Sequence, residues 1–218
     1  MKPLVLLRPE PGLGASAVAA RALGVTVIDC PLFEVAPLAW TAPPADSFDA
    51  LLLTSANAVR HGGAGLDAYR DLPVLAVGEA TAEAARDFGF TVKQVGEGGV
   101  ANLLATVAPG RRLLHLSGED ARDTDRPMIR VAVYAAVEVA DVTLPLLSGA
   151  VIAVHSPRAG RRLAELAVDR GGATIAAISP AAAAACGAGW AYVEVALTPA
   201  DSSLLALAAR LCQVGGQA

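Results

Sequence analysis

Leu51-Leu52-Leu53-Thr54-Ser55-Ala56-Asn57-Ala58 and Ile152-Ala153-Val154-His155-Ser156-Pro157-Arg158-Ala159 stand 101 positions apart and read alike. Each is a short apolar run that ends in hydroxyl or polar residues and passes into a helix-forming stretch. The same shift lays Ala76-Val77-Gly78-Glu79-Ala80-Thr81-Ala82 on Ala177-Ile178-Ser179-Pro180-Ala181-Ala182-Ala183. It also lays Asn102-Leu103-Leu104 on Ser203-Leu204-Leu205. Identities are few, and alanine matching alanine means little in an Ala-rich chain. Agreement of strand, turn and helix from 51–104 to 152–205, without a gap, is harder to obtain by chance. The chain reads as two similar lobes.

Outward from the repeat, the same alternation runs along the chain. Leu4–Leu7 reads as a strand and Ala15–Leu23 as a helix, stopped by Gly24 before a strand at Val25–Asp29. Further strands are expected at Ala50–Leu53, Val74–Val77, Thr91–Val95, Arg112–Leu116, Ala150–Val154, Ala173–Ile178 and Tyr192–Val195. Strands alternating with helices imply parallel sheets flanked by helices, so the fold class is α/β. Two stretches, Asp29–Trp40 and Ile129–Val139, are extended with no helix beside them. They suit either a two-stranded connector between lobes or edge strands of one sheet.

Composition bounds the function. The chain has 218 residues, 54% hydrophobic and 17% charged, which excludes disorder and leaves surface for a core in each lobe. No apolar run reaches membrane-span length, and the run before Arg8-Pro9 is too short for a signal peptide. Cys30, Cys186 and Cys212 form no CxxC pair, which fits a reducing cytoplasm. A net charge of −4 does not mark a nucleic-acid binder, and no membrane partner is expected. An anionic ligand must be held by local groups.

Those groups stand where strands give way to helices. Thr54 and Ser55 do so in one lobe and Ser156 in the other, with Gly78 and Ser179 at the next junction of each. Ligands of open α/β sheets settle at such strand ends, near unpaired helix N–H groups. Each serine is also a good helix cap, and taken singly the cap is the better reading. Gly12-Leu13-Gly14-Ala15-Ser16-Ala17 imitates a dinucleotide fingerprint, but Arg8-Pro9-Glu10-Pro11 separates it from the strand and argues against a nucleotide site. Arg8 at the strand end is either a ligand group of the cleft or a surface ion pair. His61, His115 and His155 show no metal-ligand spacing, and no GxSxG elbow appears. Glu119, Asp120 and Asp123 read as a solvated loop more readily than as general acids. Tyr134, a phenol among small aliphatics, is either an edge packing residue or a proton donor.

In order and spacing, these residues resemble the uroporphyrinogen-III synthase family over essentially the whole chain. The resemblance runs through Leu7-Arg8-Pro9, Leu23-Gly24, Pro31-Leu32, Thr54 to Val59 and Val77 to Ala82. It continues through Gly118-Glu119 with Arg122, Val133-Tyr134, Ser156 to Ala159, Ile178 to Pro180, Thr198-Pro199 and Ser203 to Leu205. It implies one lobe of 1–33 with 141–218, a second of 42–131, and connectors 34–41 and 132–140. It also implies cyclisation of hydroxymethylbilane to uroporphyrinogen III, with one pyrrole inverted and water lost, without metal or cofactor. A monomeric cytoplasmic enzyme, supplied by hydroxymethylbilane synthase, is the corresponding expectation.

The matched site residues are Tyr134 as the catalytic group that helps the hydroxyl leave, and Thr54, Ser55, Asn57, Gly78 and Thr81 on the first-repeat rim. Ser156, Arg158 and Ser179 match the second, with Arg8 beside them. Departures are visible too. Ser179-Pro180-Ala181-Ala182 replaces the usual Gly-Pro-Thr-Thr, and His155 stands where threonine is usual. Gly118 to Ile129 is short for a helix and its loop. Two-lobed anion binding without catalysis, a flavodoxin-like domain, or an inactive relative of the synthase are the rival readings.

Overall fold

The computed structural model describes residues 1–121 and 124–213. The chain divides into two compact units, Met1–Glu34 with Glu138–Ala218, and Val35–Val137. The first unit opens with β1 (Leu4–Leu6), α1 (Gly12–Ala22) and β2 (Val27–Asp29), and β3 (Phe33–Pro37) carries the chain out. The second unit continues with β4 (Ala50–Leu53), α2 (Ala56–His61), β5 (Val74–Val77) and α3 (Glu79–Phe88). After these come β6 (Val92–Gly96), α4 (Val100–Ala105) and β7 (Leu113–Gly118). β8 (Ile129–Glu138) returns the chain to β9 (Val151–Val154), α5 (Pro157–Leu166) and β10 (Thr174–Ala177). The first unit ends with α6 (Pro180–Ala185), β11 (Tyr192–Val195) and α7 (Asp201–Gln213).

Each unit is built on one sheet. The first has the order β11-β10-β9-β1-β2, parallel at every pairing. The second has the order β3-β8-β7-β4-β5-β6, parallel from β8 to β6. The central strands β4 and β9 are buried along their whole length, which is why both read as unbroken apolar runs rather than alternating ones. In the second unit Leu51, Leu53, Leu114 and Leu116 pack on one face with Val59 and Ala82. Ala50, Leu52 and Leu113 pack on the other with Leu103 and Leu104.

The repeat holds in space. Helices begin at 56, 79 and 100 in one unit and at 157, 180 and 201 in the other, each pair 101 apart. By place in the sheet, β11-β10-β9-β1-β2 corresponds to β6-β5-β4-β7-β8. β1 therefore takes the place of β7: Leu4 pairs with Val151, and Leu113 pairs with Ala50, the repeat counterpart of Val151. The strands that complete the first unit come from the chain's beginning.

Several boundaries differ from the sequence reading. α1 starts at Gly12, not Ala15, because the Glu10 carboxylate accepts the Gly14 N–H at 3.0 Å and the Pro9 carbonyl accepts that of Leu13. β2 starts two residues later than expected, since the Val25 N–H is still bonded to Ala20 at the end of α1. The extended reading of Asp29–Trp40 contracts to β3, and the Trp40 indole instead donates to the Gly62 carbonyl at 2.9 Å. The two helix-free strands also belong to a sheet, β3 at its edge and β8 next to it. Among the described residues between β7 and β8 there is no helix.

Candidate active site

In the second unit a pocket of about 340 Å³ opens at the carboxyl ends of β4 and β7, lined by Thr54, Ser55, His115, Gly118, Glu119 and Tyr134 among others. Strand alternation puts polar groups there. Leu52 and Leu113 face the α4 side of the sheet, and two residues on, Thr54 and His115 continue the same face. Leu52 is paired with His115 in the parallel register, so the two polar side chains meet. Thr54 Oγ1 and His115 Nε2 are 3.0 Å apart. His115 is only 3% exposed, and burial, with the nearby Arg130 guanidinium, pushes its imidazole down to about 4. It is neutral at physiological pH.

Tyr134 reaches the pocket through an irregularity. Ser117 is paired with Ala132 but Gly118 with Tyr134, so the register slips by one residue at that point. Such a bulge bends the strand and re-aims a side chain. The phenol ring lies on the bare Cα of Gly118, where a Cβ would stand 2.8 Å from the ring. The His61 ring flanks it, with centroids 6.3 Å apart and planes tilted by 40°. Among the described residues the Tyr134 hydroxyl has no hydrogen-bond partner.

The other predicted residues of this unit fall around that pocket unequally. Ser55 Oγ caps α2, accepting the Asn57 N–H at 3.2 Å, and the Asn57 side chain is half-buried beside it. Gly78 precedes α3 with φ of +80°, a conformation that favours glycine. Thr81 is 5% exposed, so its side chain lies in the core and not on a rim. α2 has six residues and α3 ten, which leaves the larger dipole to α3.

The first unit presents a different corner. Ser156 Oγ accepts the Ala159 N–H at 3.1 Å and Ser179 Oγ accepts that of Ala182 at 3.2 Å, so both serines are helix caps. The cap at Ser179 thus occupies one backbone donor of the junction that has alanines in place of threonines. The Arg158 guanidinium lies over the Phe33 ring, 4.7 Å from its centroid. Arg8 is not a free group at a strand end. Its Nη1 donates to Ser16 Oγ at 2.9 Å and to Asp201 Oδ1 at 3.1 Å, so the ion pair is formed, with 30% of the side chain still exposed. Ser16 Oγ donates to Asp201 Oδ2 at 2.9 Å, and His155 Nε2 donates to Oδ1 at 2.8 Å. Burial and the Arg8 charge lower the His155 imidazole, while Asp201 opposes them. Gly12 and Gly14 face the Arg8 guanidinium and the Glu10 carboxylate, so the loop that imitates a dinucleotide site is covered by its own side chains.

Glu119 and Asp120 are exposed, Arg122 and Asp123 lie outside the described residues, and no three metal-ligating groups come together among the described residues. The three cysteines are buried, and burial raises each thiol. No described helix is long and apolar enough to cross a membrane. Sequence reasoning missed two residues, His115 and Asp201. His115 could have been found by carrying the alternation of Leu52–Thr54 across to Leu113–His115. Asp201 stands at a repeat-equivalent helix start, where an acidic first residue meets the helix dipole.

Two α/β units of matching strand order, one with a pocket at its strand ends where hydroxyl, imidazole and phenol groups meet, define a two-domain α/β protein with a site for a small molecule. The family described as uroporphyrinogen-III synthase HemD matches residues 15–206. The chain belongs to the uroporphyrinogen-III synthase family, and its function is the synthase function of haem biosynthesis. Among solved structures, the uroporphyrinogen-III synthetase of Helicobacter pylori aligns over 97% of this chain and 100% of its own, with 17% identity and a TM-score of 0.64. That likeness is one of fold. The native uroporphyrinogen III synthase of Thermus thermophilus covers 97% and 98% of the two chains at 20% identity, with a TM-score of 0.41. Comparison with curated proteins gives no match.

Proposed function

We propose that the chain cyclises hydroxymethylbilane to uroporphyrinogen III, inverting the terminal pyrrole and releasing water, as a monomeric cytoplasmic lyase. The observation that carries the site assignment is Tyr134, a phenol held on Gly118 in the Thr54 pocket with its hydroxyl unengaged by the described residues. Tyr134 serves as the acid that assists departure of the bilane hydroxyl. Departure leaves a cationic azafulvene. The substituted carbon of the terminal ring attacks it and forms a spiro intermediate, which fragments and recloses with that ring turned over. The released proton count balances: one proton joins the leaving hydroxyl, and one is lost when the ring regains aromaticity.

The unassisted bilane closes to the other isomer, so the protein's larger task is to fold the substrate. Holding reacting groups in place supplies about 7–11 kcal/mol in favourable intramolecular cases. The acetate and propionate groups need local donors, because the chain's net charge of −4 does not attract them. Thr54, Ser55, Asn57 and Gly78 are the proposed contacts in the second unit, and Ser156, Arg158 and Ser179 those in the first. Arg8 and Thr81 act indirectly, Arg8 through the Asp201 network and Thr81 through the packing of α3. The scheme calls for proton transfer and orientation and assigns no step to a cofactor. Hydroxymethylbilane synthase is the proposed supplier of the substrate.

A coupled assay tests this. Hydroxymethylbilane generated in place, followed by oxidation and chromatographic separation of porphyrin isomers, is expected to give isomer III in proportion to added protein. Isomer I alone from the folded protein would instead favour anion binding without catalysis.

A further inference from the structure

The Thr54 hydroxyl does not stand alone in its pocket. It is held by His115, a residue on a neighbouring strand that no family motif in the sequence singled out. We propose that His115 is a positioning residue of the active site, fixing the direction in which the Thr54 hydroxyl meets the substrate. The inference rests on the synthase reading of the pocket and deepens it.

Three observations carry it. The Thr54 Oγ1 to His115 Nε2 distance of 3.0 Å is that of a formed hydrogen bond. His115 lies within β7, buried along its length, and Thr54 directly follows β4, the buried strand paired with it, so both backbones are anchored. Both residues line the pocket that also holds Tyr134. A hydroxyl on a single rotatable bond has three staggered choices, and a partner on the next strand selects one. Burial and the Arg130 charge keep the imidazole neutral, so it holds the hydroxyl as a dipole and adds no cation to the pocket. The repeat supports the specificity of the arrangement. Thr54 corresponds to His155 in the first unit, where the imidazole bonds the Asp201 carboxylate instead.

The test compares His115→Phe, which keeps the volume and removes the bond, with His115→Gln, whose side-chain amide can replace Nε2. Thr54→Val and the double variant His115→Phe/Thr54→Val complete the set. His115→Phe is expected to raise KM about tenfold, the worth of one hydrogen bond, and to raise the share of isomer I, with kcat little changed. His115→Gln should recover most of this, and the double variant should be no worse than Thr54→Val alone. Additive losses, no rescue by glutamine, or a fall in kcat with KM unchanged would each overturn the proposal. A second readout does not need activity: the imidazole nitrogen NMR signals of His115 should shift in Thr54→Val. If the wild-type protein made no isomer III, the synthase reading would fail. The NMR comparison would still decide the contact, and an unshifted His115 signal would refute it.

Discussion

The two units share a strand order and the starting points of three helices, yet they treat the same corner of the sheet in opposite ways. At the ends of β4 and β7, the second unit leaves a pocket with Thr54, His115 and Tyr134 around it. At the ends of β9 and β1, the first unit fills the corner with charge. Position 54 becomes His155, position 100 becomes Asp201, and by pairing register Ser117 becomes Arg8. Arg8, Ser16 and His155 converge on the Asp201 carboxylate. The difference follows from connectivity. After β1 the chain enters α1, whose Ser16 closes the network, whereas the described residues between β7 and β8 form no helix. One repeat has been closed by its polar residues, and the other has kept its polar residues open.

The sharpest way to probe the open corner is acid. His115 titrates at about 4 in the folded chain and near its ordinary 6.5 when unfolded, so between those values only the unfolded chain takes up the proton. Stability is therefore full above pH 6.5 and falls as pH drops toward 4, below which this contribution is exhausted. A depression of that size is worth roughly 3 kcal/mol. His155 is lowered in the same direction, but its bond to Asp201 opposes the shift, so its share is smaller. Urea unfolding at pH 7 and pH 4.5 should show the loss, and His115→Gln should remove most of it. An unchanged pH slope in that variant would place the acid sensitivity elsewhere.

The closed corner should be the stiffer one. Asp201→Ala strips three donors of their acceptor and leaves Ser16, which is fully buried, without its carboxylate partner. The expected cost is about 2 kcal/mol, less than for a fully buried pair because Asp201 and Arg8 are both about a third exposed. At the equivalent place in the second unit, Val100→Ala removes only half-buried apolar surface and should cost less than about 1 kcal/mol. Denaturation midpoints compare the two directly. Equal losses would mean that the network adds nothing beyond packing.

Much of this was legible beforehand, for reasons that differ between elements. The strand and helix alternation could be read because buried parallel strands such as Leu51–Leu53 and Val151–Val154 are unbroken apolar runs between turn residues. The serine caps were legible because Ser55, Ser156 and Ser179 each sit directly after a strand. Contacts across strands were not. Whether Arg8 meets a ligand or Asp201 depends on residues 193 positions apart, and no local pattern encodes that distance. Thr81 was placed on the rim by its motif, but the phase of α3 turns it into the core. The register slip that aims Tyr134 leaves no mark in an alternating run of valines and alanines.

That slip supports the last prediction, which concerns rate rather than stability. Tyr134→Phe keeps the ring on Gly118 and removes only the hydroxyl, so stability should hold while kcat falls by about 100-fold. Gly118→Ala keeps the proton and displaces the ring, because the added Cβ would sit 2.8 Å from its carbons. The half-buried ring can move, so the protein should fold, with kcat lowered to a similar degree. If both act through one placed hydroxyl, the double variant Gly118→Ala/Tyr134→Phe will be no slower than Tyr134→Phe. Multiplying losses would mean that Gly118 shapes the pocket for the bilane itself. The first unit again supplies the control: its counterpart of Gly118 is Pro9, beside the corner closed by Asp201, where no aromatic proton donor is placed.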